Sequence, residues 1–367
     1  MSNNIYLIDF IMKNRKLTFI SFLLAIVSLS FSSCGEIETN NIDHKTNLST
    51  SMVASEYTIA FYNVENLFDT EDDPFTSDDE FTPNGEKRWT EKRYHKKLKN
   101  IAKVASALDS SLPMLFGVCE VENLRVLEDL VQEPKLQKAN YGIVHFDSPD
   151  TRGIDVALMY KKDYFEVLET ESLEVSFERH PNVLTRDILY VKGVLNGEEI
   201  NVFVNHWSSR RKGEKATEYK RLEAAEVLKD RIEEIQELDA KAKIIVMGDF
   251  NDYPNNSSIV DVLEASLEPK SDEFYNLAAK LDKNYKGSHF YNDEWGMLDQ
   301  MMISNSWLSS KKGNVIKDKT VSVFKPDWVL FNHFKLGMIP SKTYSGQKYH
   351  GGYSDHLAVY LKMKFKK

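Results

Sequence analysis

Residues 244–251, Ile244-Ile245-Val246-Met247-Gly248-Asp249-Phe250-Asn251, are apolar for four positions, stop at a glycine and then offer a carboxylate and an amide. An apolar run without alternation is the pattern of a strand covered on both faces, and a glycine at its end relaxes the backbone there. If the extended conformation continues, Asp249 and Asn251 point to the same side. A carboxylate beside an amide can then hold a water and a phosphate oxygen together. Taken alone, the stretch fits equally well a plain strand followed by an Asp/Asn/Pro turn through Asp252, Tyr253 and Pro254. The other end of the chain shifts the balance: Tyr353-Ser354-Asp355-His356 opens the apolar run 357–361, so a second carboxylate and an imidazole sit at another strand boundary.

The same arrangement recurs along the chain. Residues 57–66 begin as a strand and end in amides and a carboxylate, with Asn63 the candidate site residue. Residues 114–119 form a buried strand that ends in Glu120. Asp155 lies inside the apolar strand 154–160, where a lone buried charge costs several kcal/mol and so requires a partner. Strands near 188–195 and 199–205 are joined by Asn196-Gly197, a hairpin signal, and the second delivers His206. Asp299 stands near the start of a strand over 298–304, and a further strand is expected near 320–324.

Periodicity predicts a helix over 87–108, on Tyr94, Leu98, Ile101, Ala105 and Leu108. Its other side carries Lys92, Arg93, Lys96, Lys97, Lys99 and Lys103 and reads as a solvated charged face. Shorter helices are expected near 123–132 and 257–266. A longer one, with Leu222, Ala225, Leu228, Ile232 and Ile235 on one face, follows the basic loop Arg210-Arg211-Lys212. Residues 69–85 read as an acidic surface loop whose carboxylates match no defined calcium loop, and no internal repeat is visible.

Hydrophobic residues at 42% and charged residues at 28% describe a globular protein. Residues 1–33 have the layout of a secretory signal: Lys13, Arg15 and Lys16, an apolar run over 17–31, then small residues before Cys34. The apolar run is shorter than the roughly 20 residues of a membrane span. Met12-Lys13-Asn14-Arg15-Lys16 itself has the form of a signal start, so the first eleven residues read as superfluous. Residues 34–55, rich in Asn, Thr, Ser and acidic residues, read as a flexible tether, and residues 56–367 as the folded domain. Cleavage would remove three basic residues and one acidic one, taking the net charge from −9 to about −11, so there is no general nucleic-acid footprint. The chain has 2 cysteines, of which Cys34 closes the signal; the other, Cys119, lies in an apolar run and reads as a small buried hydrophobe.

Collected, the polar groups in or at the ends of apolar strands are Asn63, Glu120, Asp155, His206, Asp249, Asn251, Asp299, Asp355 and His356. Oxygen ligands with two imidazoles and no cysteine suit Mg²⁺, or Mn²⁺ or Ca²⁺, rather than structural zinc. Neither Ser208 nor Ser354 lies in a Gly-x-Ser-x-Gly elbow, which sets a serine hydrolase aside.

Over roughly residues 57–364 these motifs, in this order, resemble the endonuclease/exonuclease/phosphatase superfamily. Tyr62-Asn63-Val64 looks like its first motif, Glu120 its metal-binding glutamate and Asn205-His206 its strand-end histidine. Gly248-Asp249-Phe250-Asn251 resembles its most specific signature, Leu298-Asp299 its penultimate motif and Ser354-Asp355-His356 its last. Two positions depart from the pattern: Cys119 stands where a glutamine is frequent, and Asn205-His206-Trp207 replaces a threonine–histidine pair. Small residues before Cys34 likewise resemble a bacterial lipoprotein signal, with Phe31 in place of the usual leucine.

The resemblance implies an α/β fold, a four-layer α-β-β-α sandwich of two packed mixed sheets flanked by helices. It implies a divalent-metal-dependent phosphoesterase: first an exported nuclease-like phosphodiesterase, with a phospholipid or inositol-phosphate hydrolase as the alternative and a non-catalytic surface lipoprotein as a third reading. Glu120, Asp355 and Asn63 would hold the metal. Asp249 and Asn251 would orient or deprotonate the attacking water, and His356 held by Asp299 and His206 held by Asp155 would bind phosphate oxygens. Arg210 and Arg211 would contact substrate. Such a protein is expected to be a monomer anchored through lipidated Cys34 to a bacterial membrane, the outer one by preference, or to be secreted.

Overall fold

The structure, a computed structural model, describes residues 56–270, 274–282 and 287–367. The expected signal, Cys34 and the tether lie outside the described residues. Twenty strands fall into two seven-stranded sheets and three hairpins. The first sheet holds β1 (Glu56–Leu67), β2 (Leu115–Val121), β3 (Tyr141–His145), β4 (Asp155–Lys161), β14 (Gly313–Ile316), β15 (Ser322–Val323) and β20 (Val359–Lys366). The second holds β5 (Phe165–Leu173), β6 (Ile188–Leu195), β7 (Glu198–His206), β8 (Ile244–Asp249), β9 (Ala265–Ser266), β10 (Phe274–Asn276) and β13 (Asp299–Ile303). The hairpins are β11 (His289–Tyr291) with β12 (Glu294–Gly296), β16 (Leu330–His333) with β17 (Gly337–Pro340), and β18 (Tyr344–Ser345) with β19 (Lys348–Tyr349). The three main helices are α1 (Glu91–Leu108), α2 (Leu124–Val131) and α3 (Glu214–Leu238).

Three apolar layers make the sandwich. Ile59 and Phe61 of β1 meet Ile245 and Met247 of β8 between the sheets. The intervening Ala60 and Tyr62 pack under α1 and α2 with Leu98, Ile101 and Val126, while Ile244 and Val246 pack under α3 with Ala225 and Leu228. The central strands therefore alternate between two cores rather than between core and solvent, which is why their sequences show no alternation. Each fully buried aliphatic side chain contributes about 1.5–3 kcal/mol, and the one cysteine among the described residues, Cys119, is free and buried.

The two sheets repeat one plan that the sequence conceals. β1 and β2 run parallel, flanked by antiparallel β20 and β4, with β3 beyond. β7 and β8 run parallel, flanked by antiparallel β6 and β13, with β10 beyond. A parallel pair needs a long crossover, and each crossover carries a helix, α1 in one half and α3 in the other. Both pairs end at the same rim.

Several local expectations change. Gly248 lies within β8, and its use is close approach rather than backbone freedom, because an added Cβ would stand 2.4 Å from the Asn205 carbonyl oxygen. The first helix begins at Glu91, after Arg88 at φ 47° and an extended Thr90. The expected helix near 257–266 is a five-residue π turn, Ser258–Val262, followed by β9. Lys97 is buried at 1% exposure rather than solvated. It falls three residues after Tyr94 and four before Ile101, inside the apolar stripe. No helix of the described residues is long and apolar enough to cross a membrane.

Candidate active site

The carboxyl ends of the two parallel pairs present Asn63, Glu65, Glu120, His206 and Asp249 at one rim. β13 starts there with Asp299 in register with Asp249, and the segment before β20 adds Asp355 and His356. The backbone breaks register where it delivers these groups, between Asn63 and Leu67 and between Cys119 and Val121. Glu65, Asn66, Glu120 and Asn251 have φ of 53°, 51°, 60° and 50°. Left-handed conformations in non-glycine residues are strained and concentrate at functional sites.

Asn63 ties the rim together. Its amide NH₂ donates to Glu120 Oε1 at 3.2 Å and to Asp249 Oδ2 at 3.1 Å. Its carbonyl accepts the Glu65 N–H at 3.0 Å, so Asn63 is placed to orient carboxylates rather than to serve as the expected metal ligand. Ser354 donates to the Asn63 backbone carbonyl oxygen, not to its side-chain amide, at 2.7 Å and accepts from the His356 N–H at 3.0 Å.

The two histidines differ in state. His356 Nδ1 lies 2.7 Å from Asp299 Oδ2, and its Nε2 lies 3.7 Å from Asp249 Oδ2. Ser288 donates to the same Asp299 oxygen at 2.5 Å. Burial pulls the His356 imidazole down, but Asp299 and then Asp249 outweigh it and hold it well above the ordinary histidine range. His206 Nε2 faces Glu120 Oε1 and Asp249 Oδ2, both at 3.8 Å. Burial, then Arg186, Arg152 and His356, hold His206 well below the ordinary range, so it is neutral.

The expected Asp155–His206 pair does not form. Asp155 Oδ2 lies 3.0 Å from His145 Nε2 and its Oδ1 accepts the Ser148 N–H at 2.9 Å, while His206 Nδ1 is buried without a partner among the described residues. Burial first, and then the neighbouring Arg186, keep the His206 imidazole well below the ordinary range. Arg186 Nε donates to the His206 carbonyl oxygen at 3.1 Å.

Burial raises Asp249 to about 6, with His356 opposing and Asp299 reinforcing. Asn251 does not continue the strand. Its N–H bonds Asp249 Oδ1 at 2.9 Å and its side-chain NH₂ donates to the Trp207 carbonyl oxygen at 3.0 Å, which fixes Asp249 from behind. Arg210 is also turned inward: it donates to the Asn251 carbonyl oxygen at 2.6 Å, Asp252 Oδ1 at 2.8 Å and Asn256 Oδ1 at 2.6 Å. Arg210 is thus not free for the expected substrate contact, whereas Arg211 is exposed.

Three residues that sequence reading missed belong to this rim. Glu65 is buried, accepts the Thr343 N–H at 2.6 Å and lies 3.7 Å from Lys97. Burial and Asp355 raise it to about 7 against the pull of Lys97. It repeats the strand-end carboxylate pattern of Glu120, two residues after Asn63. Lys97 lies behind Glu65, Asp355 and Glu120 and responds to the charge of all three. His289, on β11, pairs with His356 through the backbone and lies over its ring at 4.4 Å; nothing in the sequence around it marks it.

The donor set fits a divalent metal. Glu65, Glu120 and Asp355 supply hard oxygens, and Glu65 is raised first by burial and then by the Asp355 charge. Ligand-type atoms also cluster within 4.8 Å in Asp355 with His289 and His356, and in Asp249 with Asp299 and His356. The second group is accounted for by the ion pairing around His356, and Glu120 stands outside both.

A model of the Endonuclease/Exonuclease/phosphatase family matches residues 58–365. Among solved structures, the chain is similar to the human Nocturnin catalytic domain at 15% identity and a TM-score of 0.53, covering 86% of this chain and 96% of that one. It is similar to a mannosyl-6-phosphatase of Bacteroides thetaiotaomicron at 18% identity and a TM-score of 0.53, covering 84% and 100%. It is also similar to D. rerio TDP2 complexed with single-strand DNA product, at 14% identity and a TM-score of 0.52, covering 85% and 100%. No curated protein sequence matches the chain.

Two outcomes test the geometry. Asp299→Ala and His356→Ala should each lower the rate by the order of a hundredfold, and the double variant should lose about the same factor as either single one. Asp155→Ala and His206→Ala, which do not touch, should give factors that multiply; a double-mutant cycle on folded variants reads both. A raised carboxylate keeps its proton more firmly in the folded than in the unfolded chain, so its contribution to metal-free stability falls as pH rises through about 7 for Glu65. A bound cation reverses that loss. Mg²⁺ should therefore raise Tm by roughly 3 °C or more at pH 8 and by less than half as much at pH 5.5 in thermal melts.

Proposed function

The chain belongs to the endonuclease/exonuclease/phosphatase family, whose members are metal-dependent phosphoester hydrolases, and from that premise we propose that it is an exported, nuclease-like phosphodiesterase using Mg²⁺. The observation that carries the reading is the set of opposed groups at one rim: His356 on Asp299, raised well above the ordinary range, His206 lowered well below it, Asp249 raised to about 6, and the Glu120 carboxylate held by Asn63. A phosphodiester carries one negative charge where a monoester carries nearly two. A rim this rich in carboxylates accepts the diester at less electrostatic cost.

Glu65, Glu120 and Asp355 would hold the metal, which when bound draws charge from the phosphate in the transition state. The chain's own groups do the rest. Asp249, fixed by Asn63 and the Asn251 N–H, orients the attacking water and accepts its proton at Oδ2. Neutral His206 binds a non-bridging oxygen by hydrogen bond without adding a second positive charge beside Arg186. His356 keeps its Nε2 proton toward the reacting group, because Asp299 stabilises the imidazolium, and neutralises the developing charge.

A second reading, a phospholipid hydrolase, draws support from the β16–β17 hairpin. It exposes Phe331, Phe334 and Met338, and β17 packs against β11, the strand of His289. The tryptophans lend this reading less, since Trp207 and Trp307 are buried.

The chain should cleave DNA or RNA with Mg²⁺, lose that activity in excess chelator and regain it on adding Mg²⁺. Undiminished turnover in chelator would sink the metal assignment, and hydrolysis confined to sphingomyelin vesicles would replace the first reading by the second. Export and anchoring at Cys34 rest on the sequence of residues 1–34. Labelled fatty acid should appear on the wild-type chain in bacterial cells and be lost in Cys34→Ser; a wild-type chain without label has no such anchor.

A further inference from the structure

A cleft of about 300 Å³ opens beside the candidate site and shares Glu65 and Asn66 with it. Its walls include Glu80, Lys87, Arg152 and Arg211. Its two acidic side chains each face a lysine, Glu80 with Lys87 at 3.5 Å and Glu65 with Lys97 at 3.7 Å. Its two arginines have no comparable balance. Arg152 reaches Asp150 at 3.6 Å, but that carboxylate is already engaged by Arg186 at 2.7 Å. Arg211 is exposed and has no hydrogen-bond or ion-pair partner among the described residues.

Arg152 also acts on His206, so it lies within electrostatic reach of the reacting centre. A larger cleft of about 450 Å³ lies elsewhere, between β6, β7 and the end of α3. Its charges pair among themselves, as in Lys192–Glu199 at 2.9 Å and Arg231–Glu169 at 3.3 Å, and it offers no comparable excess.

We propose that Arg152 and Arg211 form a second anion subsite, which takes a phosphate group adjacent to the scissile one on the same substrate. The guanidinium group matches phosphate oxygens with two parallel donors and keeps its charge at all relevant pH values. The cleft is at the small end of ligand sites, sized for one phosphate with its sugar. Two sources present this chemistry: the next backbone phosphate of a nucleic-acid strand, or the second phosphate of a bisphosphorylated sugar. The inference rests on the phosphoesterase reading above for the place of the scissile group.

Titration calorimetry on the Mg²⁺-loaded protein separates the possibilities, using phosphorothioate analogues to suppress turnover. One arm compares thymidine 3′,5′-bisphosphorothioate with the 5′-monophosphorothioate; the other compares fructose 1,6-bisphosphorothioate with the 6-monophosphorothioate. The bis-anion should bind at least about tenfold more tightly in one arm, which identifies the source, and Arg152→Gln/Arg211→Gln should abolish the difference. Arg211→Gln alone, at a position without structural partners, should lower the ratio by roughly threefold, so the test survives a poorly folded double variant. Equal affinities in both arms, or discrimination that persists in the folded double variant, would overturn the subsite. Discrimination in a protein that hydrolyses no phosphoester would leave the subsite standing and remove the catalytic reading instead.

Discussion

The amide of Asn63 is the contact on which the rim depends, because it belongs to one sheet and grips a carboxylate of each. Glu120 comes from the neighbouring strand of the same sheet and Asp249 from the other sheet. An apolar inter-sheet core fixes the separation of the layers but not their relative slide, since burial is non-directional. A hydrogen-bonded amide is directional and resists it. Ser354 holds the Asn63 backbone carbonyl oxygen from the last segment of the chain. The order of the site thus reaches residues that the sequence separates by nearly the whole domain.

Around that contact the fold distributes charge unevenly. His356 and His206 flank one carboxylate, Asp249, at nearly equal distances of 3.7 and 3.8 Å. Burial lowers both rings; it is outweighed at His356 by Asp299 and Asp249 and reinforced at His206 by Arg186, so the two rings sit on opposite sides of the ordinary histidine range. The pairing of titratable groups pushed apart by their surroundings is how a site runs acid and base chemistry at one pH. Here the divergence arises from groups one residue deep in the protein, none of which need touch a substrate.

Much of this was legible in the sequence, for a definite reason. A strand buried on both faces can place polar groups only at its ends, so Glu120, His206, Asp249 and His356 stand out against apolar runs. The Asp299–His356 pair was expected only through the family resemblance, and the structure forms it. The Asp155–His206 pair was misread because strand-end position says nothing of which neighbour a side chain meets: β4 pairs with β3, and His145 on that strand takes the carboxylate. Asn251 and Gly248 were misread by assuming regular backbone beyond the strand end. Glu65 was passed over although it obeys the same rule as Glu120. Lys97 hid because a lysine in an apolar stripe is usually an exposed edge residue, and His289 because three-residue strands carry too little pattern.

Part of the basic face of α1 turns inward, at Arg93, Lys97 and Lys103, while Lys92, Lys96 and Lys99 stay exposed. Lys97 donates to Thr343 Oγ1 at 2.7 Å and to the Tyr353 carbonyl oxygen at 2.8 Å, Lys103 donates to the Tyr353 hydroxyl at 2.9 Å, and Arg93 lies over the Tyr349 ring at 4.2 Å. These cations clamp the segment that leads into Asp355 and His356. The last two site residues are therefore positioned from a helix outside both sheets, so the charge on one face of α1 is part of the scaffold rather than of the surface.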